Sequence, residues 1–320
     1  MWVDPNMISR PLFLASALAA AATHPALAQS TVTLRCASAP DDDVSPFLYA
    51  RDSGIFKRAG LDVEIAKSNS GAAVAAAVTG GSIDIGKSSL VSLITAHTKG
   101  LPFVLIAPAS FYDFERPDVA MLVAKDSNLH TARDIVGKTI AVSALGDLYT
   151  IANDAFVEGA GGSYKEIKYL ELPSSGAADA VIAHRVDAVT LATPSLTVAL
   201  AGGKVREIGH PFESIAKHFV RAAWFTTREF ATKNPDVVAR FRRSIGQAST
   251  YTNAHPADTV AALAAFSGLD PQLIAHMPRA IGGSILDPKL VQPTIEAAAK
   301  FGAIASSFPA QDMIAPGASG

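Results

Sequence analysis

The chain reads as an α/β protein of two βα domains, each a helix-covered parallel sheet, joined by two crossing strands. Three features lead to this class. Residues 34–86 hold strand, polar loop, helix, strand, helix and strand in strict order, a βαβαβ unit. Residues 139–191 repeat the same grammar, and two apolar runs, Val119–Ala124 and 219–226, are placed to carry the chain from one lobe to the other and back.

In the first lobe a strand over 34–37 leads through the loop 40–46 into a helix over 47–58. Gly60 precedes a strand over 61–65. A polar loop from Lys67 to Gly71 opens an Ala-rich helix over 72–78, Gly80-Gly81 ends it, and a strand over 83–86 follows. A helix over 89–98 shows Leu90, Leu93, Ile94 and His97 on one face, and a strand over 103–107 closes the lobe. Residues 110–117 read as a turn-rich aromatic stretch.

The second lobe starts with a strand at Thr139–Val142, the loop 143–147 and a helix over 148–158, stopped by Gly159-Ala160-Gly161-Gly162. Strand 168–172, loop 173–176, helix 177–184 and strand 188–191 complete it. Residues 228–308 are helical by period and return to the first lobe, with Asn234-Pro235 as a helix start and Val237, Val238, Phe241, Ile245 and Ala248 on one face. Residues 313–320 read as a frayed tail. The expected domains are a signal peptide at 1–28, a first lobe from 29–112 and 226–320, and a second lobe from 113–225.

Composition sets the class of partner. The 320 residues are 49% apolar and 18% charged, ordinary for a globular protein with a sizeable core. A formal net charge of -2 offers no basic field for nucleic acid. Arg10, the apolar run 12–22 and Ala26-Leu27-Ala28 form a secretory signal, with cleavage expected after Ala28 and export to the periplasm. The single cysteine, Cys36, has no partner for a disulfide and is expected as a small buried side chain. Neither GxGxxG nor GxxxxGK[ST] occurs, so no nucleotide cofactor is signalled. The eight histidines are dispersed and no paired-Cys motif exists, so no metal, no cofactor and no catalytic residue are expected.

Several longer motifs add to this reading. Leu48-Tyr49-Ala50-Arg51-Asp52-Ser53-Gly54-Ile55-Phe56-Lys57-Arg58-Ala59-Gly60-Leu61-Asp62-Val63-Glu64 resembles the opening signature of ABC-transporter solute-binding proteins of the nitrate/sulfonate/taurine and thiamine-pyrimidine-precursor type. Thr79-Gly80-Gly81-Ser82-Ile83-Asp84-Ile85-Gly86 resembles that family's second signature and Lys99-Gly100-Leu101-Pro102-Phe103-Val104 its third. Asp134-Ile135-Val136-Gly137-Lys138-Thr139-Ile140-Ala141-Val142 and Asn234-Pro235-Asp236-Val237-Val238 continue the likeness downstream. The resemblance implies a two-lobed periplasmic-binding-protein fold of type II, a small-molecule ligand between the lobes, an inner-membrane ABC permease as partner, and a monomer.

Candidate ligand contacts lie in loops at strand ends. Ser70, Ser88, Ser89 and Ser143 each suit two roles, helix capping and ligand contact. If both lobes present helix N-termini to one cleft, their N–H groups and dipoles make an anion site. The resemblance nominates Asp42, Asp43, Ser70, Gly71, Ser88 and Ser89 in the first lobe and Ser143, Leu145, Gly146 and Asp147 in the second. Asp41-Asp42-Asp43 departs from what a sulfonate or nitrate binder needs: it is either a solvated turn or a carboxylate group facing the cleft, and in the second case the ligand offers a donor or a cation. Ser110, Phe111, Tyr112 and Trp224, near the crossing strands, are expected as an aromatic cleft wall with a hydroxyl. The ligand expected is a small organic metabolite, aromatic, heteroaromatic or sulfonate-like. Two alternatives remain, a pyrimidine-forming enzyme of the same fold and a ligand sensor for a membrane receptor.

Overall fold

The computed structural model describes residues 1–2, 31–68 and 70–318. The signal segment and its cleavage point lie outside the described residues but for the first two. Residues from Thr31 onward form one compact unit.

The first sheet is built by β1 (Val32–Ser38), β2 (Leu61–Lys67), β3 (Ile85–Ser89) and β4 (Phe103–Asp113), together with β10 (His218–Thr227) from much later in the chain. Its order is β2-β1-β3-β10-β4. β1 runs parallel to β2, from Val32 against Leu61 to Ser38 against Lys67, and parallel to β3 through Cys36 and Ile85. β10 is antiparallel to both neighbours. The single helix expected over 47–58 is divided into α1 (Ser45–Asp52) and α2 (Ile55–Arg58), because Gly54 adopts φ +76° between them. α3 (Gly71–Thr79) and α4 (Leu90–Thr98) follow β2 and β3.

The second sheet has the order β7-β6-β8-β5-β9, from β5 (Val119–Ala124), β6 (Thr139–Val142), β7 (Lys168–Glu171), β8 (Ala188–Ala192) and β9 (Val205–Gly209). β6 is parallel to β7 and β8, whereas β5 is antiparallel to β8 and β9. Alternation along β5 serves two cores. Ala120, Leu122 and Ala124 pack with α6 (Ser174–Ile182) and α7 (Ser195–Ala201), while Met121 and Val123 pack on the side of α5 (Leu148–Gly159).

The chain passes between the sheets twice, between β4 and β5 and between β9 and β10. Residues 110–113, expected as part of a turn, instead extend β4, since each pairs with β10. Residues 218–225, expected with the second lobe, run as β10 inside the first sheet.

The remaining helices are α8 (Arg228–Lys233), α9 (Pro235–Ala254), α10 (Val260–Ser267), α11 (Pro271–His276) and α12 (Pro288–Lys300). α9 starts at Pro235 and buries Val237, Val238, Phe241, Ile245 and Ala248 on one face. Phe241 meets Trp224 at 5.5 Å and Phe56 at 5.5 Å between ring centroids, and Trp224 stacks on Phe47 at 5.0 Å. The described part of the expected frayed tail, residues 313–318, is docked instead: Ala315 N–H donates to Leu105 carbonyl at 2.9 Å, and Met313, Ile314, Ala315 and Ala318 are buried. Those apolar side chains dock the segment on the open edge of β4. Among the described residues, no helix is long and apolar enough to cross a membrane.

Candidate functional site

A cavity of about 320 Å³ opens where the carboxyl ends of the parallel strands in both sheets converge. The first sheet supplies Ala39 and Asp41 to Asp43 after β1, Ser70 and Gly71 after β2, and Lys87 to Ser89 at the end of β3. The second supplies Ser143 and Asp147 after β6, Ser174 after β7, and Ala192 and Thr193 at the end of β8. Tyr149 adds a part-exposed ring with Phe212 fully buried beside it, and Arg221 enters from β10.

Helix starts explain the hydroxyls. Ser70 Oγ accepts from Ala73 N–H at 3.2 Å and caps α3; Ser89 Oγ accepts from Ser92 N–H at 3.3 Å and caps α4. Asp147 does the same for α5 through Leu148 N–H at 2.7 Å. Ser89 Oγ also donates to Asp147 Oδ1 at 2.8 Å, so the caps of two helices on opposite sides of the cavity are bonded to each other. Burial raises the Asp147 carboxyl, Leu148 N–H and Ser89 lower it, Asp41 adds to the rise, and the net direction is upward.

Ion pairs line the first-lobe side. Lys87, 3% exposed, binds the Asp43 carboxylate closely and has Asp41 at 3.6 Å. Ser110 Oγ donates to the other Asp43 oxygen at 3.2 Å. Burial raises the Asp43 carboxyl, but Lys87, Arg221 and the hydrogen bond from Ser110 outweigh it and hold it low. Asp42 is fully engaged: Arg279 Nη2 lies at 2.7 Å and Nε at 2.9 Å from Oδ1, Ser45 Oγ donates to that same oxygen, and Ala280 N–H donates to Oδ2 at 2.6 Å. Arg221 pairs with Asp118 at 2.7 Å. Asp42 and Asp43 are thus neither solvated nor unpaired.

Two buried hydroxyls at the cavity, Ser88 Oγ and Thr193 Oγ1, have no hydrogen-bond partner within the protein. Gly71 is needed beside one of them, since a Cβ on it would stand 2.2 Å from Ser88 Oγ.

Of the residues expected at a ligand site, Asp42, Asp43, Ser70, Gly71, Ser88, Ser89, Ser143 and Asp147 border the cavity. Ser110 stands behind Asp43. Leu145 is 59% exposed and Gly146 turns the backbone at φ +69°; neither reaches the cavity. The expected aromatic wall is corrected. Trp224 is 1% exposed within the Phe47–Phe241 core, Tyr112 packs against Phe212 and Phe219, and Phe111 stacks on His218 at 5.3 Å. These side chains belong to the sheet's packing faces, Phe212 is fully buried with them, and the ring partly exposed at the cavity is Tyr149. Lys87 and Arg221 were not anticipated, although a lone cation within an otherwise apolar strand was the available signal. Among the described residues, no group of three or more His, Cys, Asp or Glu could hold a metal ion.

Comparison with known proteins agrees with this architecture. The chain is 20% identical to the periplasmic aliphatic sulphonate binding protein SsuA from Escherichia coli, with a TM-score of 0.75 over 90% of this chain and 99% of that one. The alkanesulfonate-binding protein SsuA from Xanthomonas axonopodis pv. citri, bound to MOPS, is 21% identical with a TM-score of 0.73, covering 89% and 98% of the two chains. The periplasmic nitrate-binding protein NrtA from Synechocystis is 13% identical with a TM-score of 0.71, covering 89% and 85%. They share the two-lobed periplasmic-binding-protein fold with this chain. No curated protein matches it in sequence. Residues 41–259, about two thirds of the chain, match the family described as NMT1/THI5 like, and the chain belongs to that family.

Proposed function

We propose that this protein is the solute-binding component of an ABC importer, exported to the periplasm, where it captures a small organic molecule between its lobes and hands it unaltered to an inner-membrane permease. The observation that carries the reading is the cavity fed from the strand ends of both sheets, with hydroxyls and charges contributed from each side. A ligand there gains its full set of contacts only when the lobes close, so it shifts an open/closed equilibrium by its differential affinity. The names of the sulfonate- and nitrate-binding neighbours support the transport role. Tyr149 supplies a part-exposed ring suited to an aromatic or heteroaromatic ligand. Carboxylates at the same cavity favour that class over a sulfonate, which they would repel.

Thermal unfolding against pyrimidines, aromatic carboxylates, sulfonates, taurine, nitrate and polyamines tests the reading. Ligand at a hundredfold over its dissociation constant adds about 2.7 kcal/mol and raises the midpoint by roughly 2 to 4 °C for a chain of this size. A selective shift with unchanged ligand recovered afterward is expected. Recovery of a chemically altered product would replace the reading with the enzymatic one.

A further inference from the structure

Carboxylates outnumber cations at the cavity. Asp41, Asp42, Asp43 and Asp147 border it together with Lys87 and Arg221. Each cation is already engaged, Lys87 by Asp43 and Arg221 by Asp118, and Asp42 is matched by Arg279 from the layer behind. Counting Asp118 and Arg279 with the lining groups, five carboxylates meet three cations.

The excess falls on two residues from opposite lobes. Asp41 keeps 63% of its side chain exposed and shares the Lys87 ammonium at 3.6 Å, with the Arg221 charge acting on it from farther off. Asp147 is bonded by neutral donors alone, the Ser89 hydroxyl and Leu148 N–H. Two further groups point to a missing occupant. Ser88, 3% exposed, and Thr193, 7% exposed, line the same space from opposite lobes, and their buried hydroxyls have no partner in the protein. Convergent helix N-termini would by themselves favour an anion. Here α3, α4 and α5 are already capped by Ser70, Ser89 and Asp147, and the last cap carries its own negative charge.

We propose that the solute carries a protonated nitrogen, an amine or amidine, seated between Asp41 and Asp147, with its planar or apolar remainder against Tyr149. The assignment rests on the solute-binding reading above. A cation between the two carboxylates converts a like-charge contact across the cavity into two charge-assisted hydrogen bonds. Its presence therefore favours approach of the lobes, and an anion in the same place opposes it. The Tyr149 ring adds cation–π attraction for the same charge.

Calorimetric titration of the purified protein with benzamidine, benzamide and benzenesulfonate, which share a ring and differ in charge, tests this, with putrescine as an aliphatic cation. A cation is expected to bind at least about tenfold more tightly than the neutral amide, the value of one charge-assisted hydrogen bond. Asp41→Asn and Asp147→Asn should each weaken that cation by about tenfold or more. Both keep side-chain shape, and Asn also caps helices while removing a carboxylate that the fold disfavours, so the unfolding midpoint of the ligand-free variants should be no lower than the wild-type value. Tighter binding of benzenesulfonate or benzamide, or wild-type cation affinity in both variants, would overturn the cation while leaving a solute-binding protein. Absence of binding by compounds of every charge, in this set and the wider panel, would overturn both.

Discussion

Ser89 and Asp147 join the two sides of the cavity through a hydrogen bond of 2.8 Å while each also caps its own helix. Loss of one hydroxyl therefore has two separable effects. Ser89→Ala should lower stability by about 1 kcal/mol through the lost α4 cap, measured by urea unfolding. It should also shift the ligand-free protein toward separated lobes, read as a larger radius of gyration in solution scattering. Ser89→Thr keeps both bonds and should match wild type in both measurements; an unchanged radius in Ser89→Ala would show that the bond does not hold the lobes.

Lys87 and Asp43, 3% and 6% exposed, form a buried ion pair beneath the cavity floor. Lys87→Met leaves a buried carboxylate without its cation and should cost about 3 to 5 kcal/mol. Adding Asp43→Asn removes the stranded charge, so the double variant should recover much of the loss in chemical unfolding. The pair also sets an acid limit. Because the folded carboxyl is held below its ordinary value, its stabilisation is present above that ordinary value and is lost as pH falls through the lower folded one. The wild-type protein should lose stability in that acid range, and the double variant should lose less. Equal acid sensitivity in both would remove Asp43 as the source.

Much of this architecture was legible because helix starts, strand ends and their loops carry local signals. Ser70 and Ser89 are legible as hydroxyls preceding helices, whereas Asp147 enters through the family resemblance; capping chemistry is what holds all three at the strand ends. Pairings between distant residues leave no such trace. Nothing near Asp42 announces Arg279, 237 positions away, so from sequence its carboxylate stands open between a solvated turn and the cleft. Trp224 was misplaced because position near a lobe crossing does not reveal which face of a strand a side chain occupies. Its surroundings are Phe47 and Phe241. Trp224→Ala should thus cost about 3 to 5 kcal/mol of stability by emptying the core. Ligand affinity in the folded fraction should be unchanged, and weakened affinity at wild-type stability would contradict the core assignment.

Gly71 allows α3 to begin against Ser88. A methyl on it would approach Ser88 Oγ to 2.2 Å and Ser88 Cβ to 3.2 Å, with the hydroxyl buried at the cavity. Gly71→Ala should therefore displace the Ser88 side chain or the start of α3, costing about 1 to 3 kcal/mol as overpacking does. Removing the Ser88 hydroxyl relieves the nearer clash, so Gly71→Ala with Ser88→Ala should recover most of the stability but not the ligand contact. Equal unfolding midpoints for Gly71→Ala and wild type would show that the crowding is relieved elsewhere.

Asp154 makes stability depend on pH near neutrality through a group outside the cavity. It is 6% exposed on α5, and Tyr169 Oη donates to its Oδ1 at 2.6 Å. Burial raises its carboxyl to about 6, with the Tyr169 hydrogen bond opposing the rise. The folded state then holds a proton that the unfolded chain has released between its ordinary value and pH 6. Its stability contribution is full below the ordinary carboxylate value and is lost as pH rises toward and past 6, to the extent of about 3 kcal/mol. Asn at this position keeps an acceptor for Tyr169 and cannot ionise. Urea unfolding from pH 4 to 8 should show the stability of Asp154→Asn gaining on wild type as pH rises, most of the gain falling below pH 7. A constant difference between the two proteins across that range would mean that Asp154 ionises alike in the folded and unfolded chains.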